Sequence, residues 1–122
     1  MTPYRHPHLR SVFYSPLFRD FCEENNCRWF LEEVASGQLS KEICAERQRN
    51  ERFNDMQIWR LRSLGDNVAV IEAADDFPTR RLAYRKKIEH TDWDFKKELK
   101  VYAGLTQVGD EIGIYIFLPS EY

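Results

Sequence analysis

His6 and His8 flank Pro7, and on an extended chain residues two apart project to the same side, so both imidazoles could serve one metal ion. Two nitrogens do not complete a site. The other hard or borderline donors cluster at His90, Asp92 and Asp94, and only an N-terminus folded back on that segment would unite the five into a centre for metal-assisted hydrolysis. The plainer reading is a histidine-bearing chain start and a polar turn after a strand. Cys22 and Cys27 are spaced more loosely than a zinc knuckle and lack a second pair. With Cys44 they make an odd count that cannot form a complete disulfide framework, so they read as reduced thiols used as small apolar residues. No Gly-x-Ser-x-Gly elbow and no local cysteine-nucleophile signature occurs. The five glycines are scattered at caps, turns and strand positions rather than gathered in a phosphate-cradling loop. Carboxylate neighbours such as Glu23-Glu24, Glu32-Glu33 and Asp75-Asp76 splay apart on a helix and are better explained by solvation. No catalytic residue and no cofactor is assigned.

Charge is the next source of chemistry. The net charge of −2 argues against the broad positive field of a general nucleic-acid binder. Locally the picture differs: Arg80, Arg81, Arg85, Lys86, Lys87, Lys96, Lys97 and Lys100 crowd one region, and Asp66, Glu72, Asp75 and Asp76 before it lack basic neighbours in the sequence. Tyr84 and Trp93 lie among the cations, a combination that grips single-stranded nucleic acid, although Glu89, Asp92 and Asp94 dilute it. A run of this kind also reads as a solvated strand that discourages edge-to-edge pairing.

The elements that must position these groups begin with Ser11-Val12-Phe13-Tyr14, an extended lead-in. Ser15-Pro16 then supplies an N-cap and a first-turn proline, and Leu17, Phe18, Phe21 and Cys22 recur at helical spacing, predicting a helix to about Glu24. Trp29, Phe30, Val34 and Ala35 predict a second helix that ends near Gly37 with a left-handed cap. Ser40 caps a third over Lys41 to Arg52, whose apolar seam is narrow. From Met56 the pattern is extended: Met56 to Arg62 and Val68 to Ala73 flank a Gly65-Asp66-Asn67 turn, a strong hairpin signal. Leu82 to His90 predicts a further strand. Glu98 to Leu105 and Glu111 to Leu118 complete the sheet as a hairpin whose last strand is apolar on both faces and therefore central or helix-covered.

At 122 residues, with 43% apolar residues and 17 aromatics, the chain is expected to fold as one domain over 1–122, helical over about 15–52 and sheet over about 56–118. Helices first and strands afterwards predict an α+β fold with the N-terminal helices on one face of a mainly antiparallel sheet of about four or five strands. Met1 is followed by polar, His- and Pro-rich residues without an apolar signal region, and no run is long enough to span a bilayer, so a cytoplasmic setting is expected.

Several landmarks recur together: Tyr4-Arg5-His6, Arg10-Ser11-Val12, Trp29-Phe30-Leu31 with Glu33, Gln57-Ile58-Trp59, His90-Thr91-Asp92 and the terminal Leu118-Pro119-Ser120-Glu121-Tyr122. In these the chain resembles a family of small bacterial and mobile-element proteins of unknown function that finish in Leu-Pro-Ser-Glu-Tyr. The resemblance implies a compact α+β protein and transfers no catalytic residue. In the terminal motif, Pro119 ends strand pairing, and Glu121 and the carboxylate of Tyr122 are expected to be held by Arg5, Arg10 or a neighbouring donor.

These readings favour a non-enzymatic interaction protein that docks on a protein or ribonucleoprotein complex. By analogy with the setting of the resembling family, it would be a phage or mobile-element inhibitor of a bacterial defence complex, in the manner of anti-CRISPR proteins. Two patches are candidates for docking: Asp66, Asp75 and Asp76 as phosphate mimics facing a basic groove, or Arg80, Arg81, Arg85, Lys86 and Lys87 facing an acidic partner. The alternatives are the His/Asp metal hydrolase and direct nucleic-acid binding by residues 80–87. Homodimerisation through a sheet edge is also open.

Overall fold

The computed structural model describes residues 3–77, 82–89, 91 and 98–122. Among them the order of elements is β1 (Tyr4–Arg5), β2 (Val12–Tyr14), α1 (Pro16–Glu24), α2 (Arg28–Gly37), α3 (Lys41–Arg49), α4 (Glu51–Asp55), β3 (Met56–Gly65), β4 (Val68–Ala74), β5 (Tyr84–Ile88), β6 (Leu99–Val108) and β7 (Glu111–Phe117), closed by a 3-10 turn at Pro119–Glu121.

Three of the described helices, α1, α3 and α4, start where a side-chain oxygen meets an orphan backbone donor. The Ser15 hydroxyl accepts from the Phe18 N–H at 3.1 Å and Ser40 accepts from Ile43 at 3.2 Å. The single helix expected over Lys41 to Arg52 is two. Asn50 adopts an extended backbone (φ −133°, ψ 101°), and its side-chain carbonyl accepts from the Phe53 N–H at 3.3 Å, ending α3 and capping α4. Gly37 is not a left-handed cap either. It closes α2 beneath the indole of Trp59, where a Cβ would lie 2.7 Å from Cη2, so its role is close approach.

The sheet corrects the fold expectation. Among the described residues it has seven strands in the order β1-β2-β7-β6-β3-β4-β5, not four or five, and it is mixed, because β2 and β7 run parallel while the other neighbours are antiparallel. The lead-in segment is a true sheet member, with Val12 opposite Ile114 and Tyr14 opposite Ile116. A three-residue strand shows no periodicity, and its partner lies about a hundred residues away, so neither strand advertises the pairing. The β3–β4 hairpin does form at its turn signal. Asp66 (φ 53°) and Asn67 (φ 61°) occupy the left-handed region that a tight hairpin needs, with a register shift between Ser63 and Gly65.

One sheet face carries the core. Tyr14, Ile114, Ile116, Val101, Trp59, Leu61 and Ile71 pack with Phe18, Phe30, Leu31, Val34, Ile43 and Phe53, so the buried residues of all four helices join this face. Phe13, Val70, Ala74 and Phe117 are buried too but lie outside that cluster, on the other side of the sheet. Within the core, Gln57 and Gln38 exchange amide hydrogen bonds at 2.8 and 2.9 Å, and the Trp59 indole N–H donates to Gln57 at 2.8 Å.

Candidate functional site

Strand alternation sends the neighbours of the core residues to the second face, and the register aligns them in rows. Lys100, Arg60, Glu72 and Arg85 stand directly across β6, β3, β4 and β5. Arg62 and Lys87 flank Val70 in the row beside them. On the other side of the charged row, Phe117, Tyr102 and Ile58 are aligned, followed by Tyr115, Gly104 and Met56. This outer face is therefore basic in one half and aromatic in the other.

Glu72 organises the basic half. Its carboxylate, 5% exposed, accepts from Arg60 Nη2 at 2.9 Å, Arg60 Nε at 3.2 Å and Arg62 Nε at 2.9 Å, with Arg85 Nε at 3.8 Å. Three guanidinium groups around one carboxylate leave an excess of positive charge. Arg60 also lies 3.6 Å from Glu98 and covers the ring of Phe77 at 4.1 Å, fixing its plane. Burial alone would push the Glu72 carboxyl up, but the hydrogen bonds from Arg62 and Arg60 outweigh it and hold the group below its ordinary value.

That depression has a pH signature. With the folded pKa below the unfolded value of about 4.3, the stabilisation is complete above that value and is lost as pH falls through the folded pKa. Urea midpoints measured between pH 7 and pH 3 should fall less steeply on the acid side in Glu72→Gln than in the parent. Equal slopes would show that the arginines do not hold this carboxylate.

The aromatic half is a connected cluster. Tyr102 meets Phe117 edge-on at 5.7 Å and Tyr122 at 5.8 Å, and Tyr115 stacks on Phe117 at 5.4 Å. Tyr122 lies nearly parallel to Phe117 at 6.3 Å and is itself 85% exposed. The terminal turn is pinned by Glu121, whose Oε1 accepts from Ser15 Oγ at 2.6 Å and from the Leu118 N–H at 3.0 Å. Of the donors expected to hold it, a neighbouring one does so, whereas Arg5 donates to the Arg10 carbonyl at 2.7 Å and pairs with Glu111 at 2.8 Å.

The residues singled out from the sequence are distributed unevenly. Arg85 and Lys87 project from the outer face, whereas Lys86 points to the helical side and bonds both Glu33 oxygens at 3.0 Å. Arg80 and Arg81 lie outside the described residues. Asp66 sits in the β3–β4 turn, and Asp75 and Asp76 follow the far end of β4, so the length of that strand, about 23 Å, separates them. Asp75 accepts from Asn50 at 3.3 Å and Asp76 from the Phe77 N–H at 2.8 Å. They form no joint acidic patch. Glu72, which has no basic neighbour in sequence, has three in space.

Of the metal candidates, His90, Asp92 and Asp94 lie outside the described residues. His6 is buried, and both its ring nitrogens are committed. Nδ1 accepts the His8 backbone N–H at 3.1 Å, so Nε2 carries the proton and donates to Glu32 at 2.6 Å. His8 is exposed, with its ring 6.1 Å from that of His6. Among the described residues no group of three or more His, Cys, Asp or Glu is placed to hold a metal. Cys22 and Cys27 are buried side by side. Their mutual hydrogen bond, then burial, pushes the Cys22 thiol up, while the same bond lowers Cys27. Cys44 is exposed and lines a pocket of about 380 Å3 with Arg47, Gln48 and Asn54, in which Arg47 donates to Asn54 at 3.0 Å.

Arg60, Arg62 and Tyr102 escaped the sequence reading as site residues, and Lys100 entered it only as part of the basic run. The available signal was Arg60-Leu61-Arg62, two cations two apart on a strand whose intervening residue is core.

Fold and outer face together define a small α+β protein whose sheet is backed by helices on one side. No helix among its described residues is long and apolar enough to cross a membrane. The chain belongs to DUF6876, a family of unknown function, whose family model matches residues 1–122. No curated protein and no solved structure matches it.

Proposed function

We propose that this protein is a non-enzymatic interaction module, acting in the cytoplasm, that docks on a macromolecular partner through the outer face of its sheet. The observation that carries the reading is the arginine cluster around Glu72. A buried carboxylate holds Arg60 and Arg62 in fixed positions, and Arg85 and Lys87 extend the positive surface at 54% and 55% exposure. The partner therefore presents negative charge. The β5 edge carries Arg85, Lys86 and Lys87, so pairing two copies along it would bring like charges together. Neither the family nor any residue of this face argues for an inhibitor of a host-defence complex, and the proposal stops at docking.

Heparin, a polyanion, serves as the probe. Arg85→Glu with Lys87→Glu should elute from immobilised heparin at clearly lower salt than the parent. The same charge change at Lys41 and Arg52, exposed on α3 and α4, should move elution much less, and thermal stability should stay close to the parent in both. Equal shifts from the two double variants would refute an electrostatic docking face.

A further inference from the structure

We infer that the occupant of the outer face is single-stranded nucleic acid, with phosphates on the arginine cluster and bases against Tyr102 and Tyr122; the inference rests on the docking reading above. Two features of the face select this partner. Lys100 and Tyr102 are two residues apart on β6 and point the same way, so the charged and aromatic rows run side by side about 6.7 Å apart. That spacing is close to the reach from a phosphate to its own base. An acidic protein surface would use the cations and leave the aromatic row without a purpose, whereas every base has a face to stack.

The chemistry of each half fits. Glu72 engages Arg62 through Nε, and a guanidinium carries four further N–H donors suited to phosphate oxygens. The buried carboxylate thus sets the arginines before any ligand arrives, which lowers the entropy lost on binding. Tyr102 is half-buried and held edge-on by Phe117, so it is a fixed platform, and Tyr122 offers an exposed ring beside it. The described part of this face has no helix or ribbon protruding from it to enter a major groove, so a splayed single strand fits it better than a duplex. With a net charge of −2 for the whole chain, attraction is local, and binding should depend on only about three phosphates.

Fluorescence anisotropy with labelled twelve-nucleotide oligo-dT and oligo-U tests this, beside a twelve-base-pair duplex. The expected result is single-strand binding at least tenfold tighter than duplex binding. A plot of log affinity against log salt should have a slope near −2, from about 0.7 per phosphate. Affinity should fall at least fivefold in Tyr102→Leu, which keeps apolar bulk against Phe117, and in Tyr122→Ala, with thermal unfolding of both variants measured to show that each is folded at the assay temperature. No binding to either oligonucleotide, or binding indifferent to both tyrosine variants, overturns the inference. If heparin elution still responds to reversal of Arg85 and Lys87, the docking reading survives that result; if it does not, both fall.

Discussion

Replacing Gln57 with leucine should lower the unfolding free energy by about 3 kcal/mol, the sum of two or three buried polar groups left unpaired at roughly 1–3 kcal/mol each, less the gain from added apolar contact. Gln57 is fully buried on the helix-facing side of β3, where its amide exchanges both hydrogen bonds with Gln38 and its oxygen also accepts the Trp59 indole N–H. Leucine fills the same space but orphans the indole N–H and half of the Gln38 amide, which keeps only its bond to the Val34 carbonyl at 3.2 Å. In a chain of this size the melting temperature should drop by roughly 10 °C. Urea denaturation of Gln38→Leu, Gln57→Leu and the double variant gives the coupling. The double variant should be less destabilised than the two singles added together, since removing the second amide relieves the first. Strict additivity, or a neutral Gln57→Leu, would show that the two amides do not form one buried unit.

Removal of Pro119 to Tyr122 should cost about 2–4 kcal/mol, read as a lower melting temperature. Two losses combine. Ser15, itself buried, loses the Glu121 carboxylate as acceptor, and Phe117, 7% exposed, loses the cover of Tyr122. Single variants separate the terms. Glu121→Gln retains an acceptor for Ser15 and should cost under about 1 kcal/mol, while Ser15→Ala removes both the link and the helix cap and should cost about 1–2 kcal/mol. An unchanged melting temperature after the deletion would mean that the terminal turn serves binding rather than stability.

Legibility in the sequence followed the range of the interaction. Ser15-Pro16 announced α1 and Gly65-Asp66-Asn67 announced the β3–β4 hairpin, because caps and tight turns are written in adjacent residues. The count and mixed character of the sheet were not readable, since β1 and β2 have two and three residues and β2 finds its partner at the other end of the chain. Gln57 looked like a polar strand residue and Gly37 like a helix stop. Each is explained by one tertiary neighbour, Gln38 and Trp59 respectively, that no local pattern names. On the candidate face, Arg85 and Lys87 were legible as part of a charge run. The role of Glu72 was not, because the arginines around it come from β3 and β5, and β5 is placed beside it only by the assembled sheet.

The parallel pairing of β2 with β7 also sets a timetable. Val12, Phe13 and Tyr14 leave the ribosome about a hundred residues ahead of the strand that covers one of their edges, an interval of roughly 5–20 s at ordinary elongation rates. Until then a short apolar strand has only β1 beside it, and closing the sheet means joining a long loop. The nascent chain thus completes this sheet only once β7 has emerged, and a stalled or truncated product lacking β7 would expose Val12-Phe13-Tyr14 as a ready site for chaperones or aggregation.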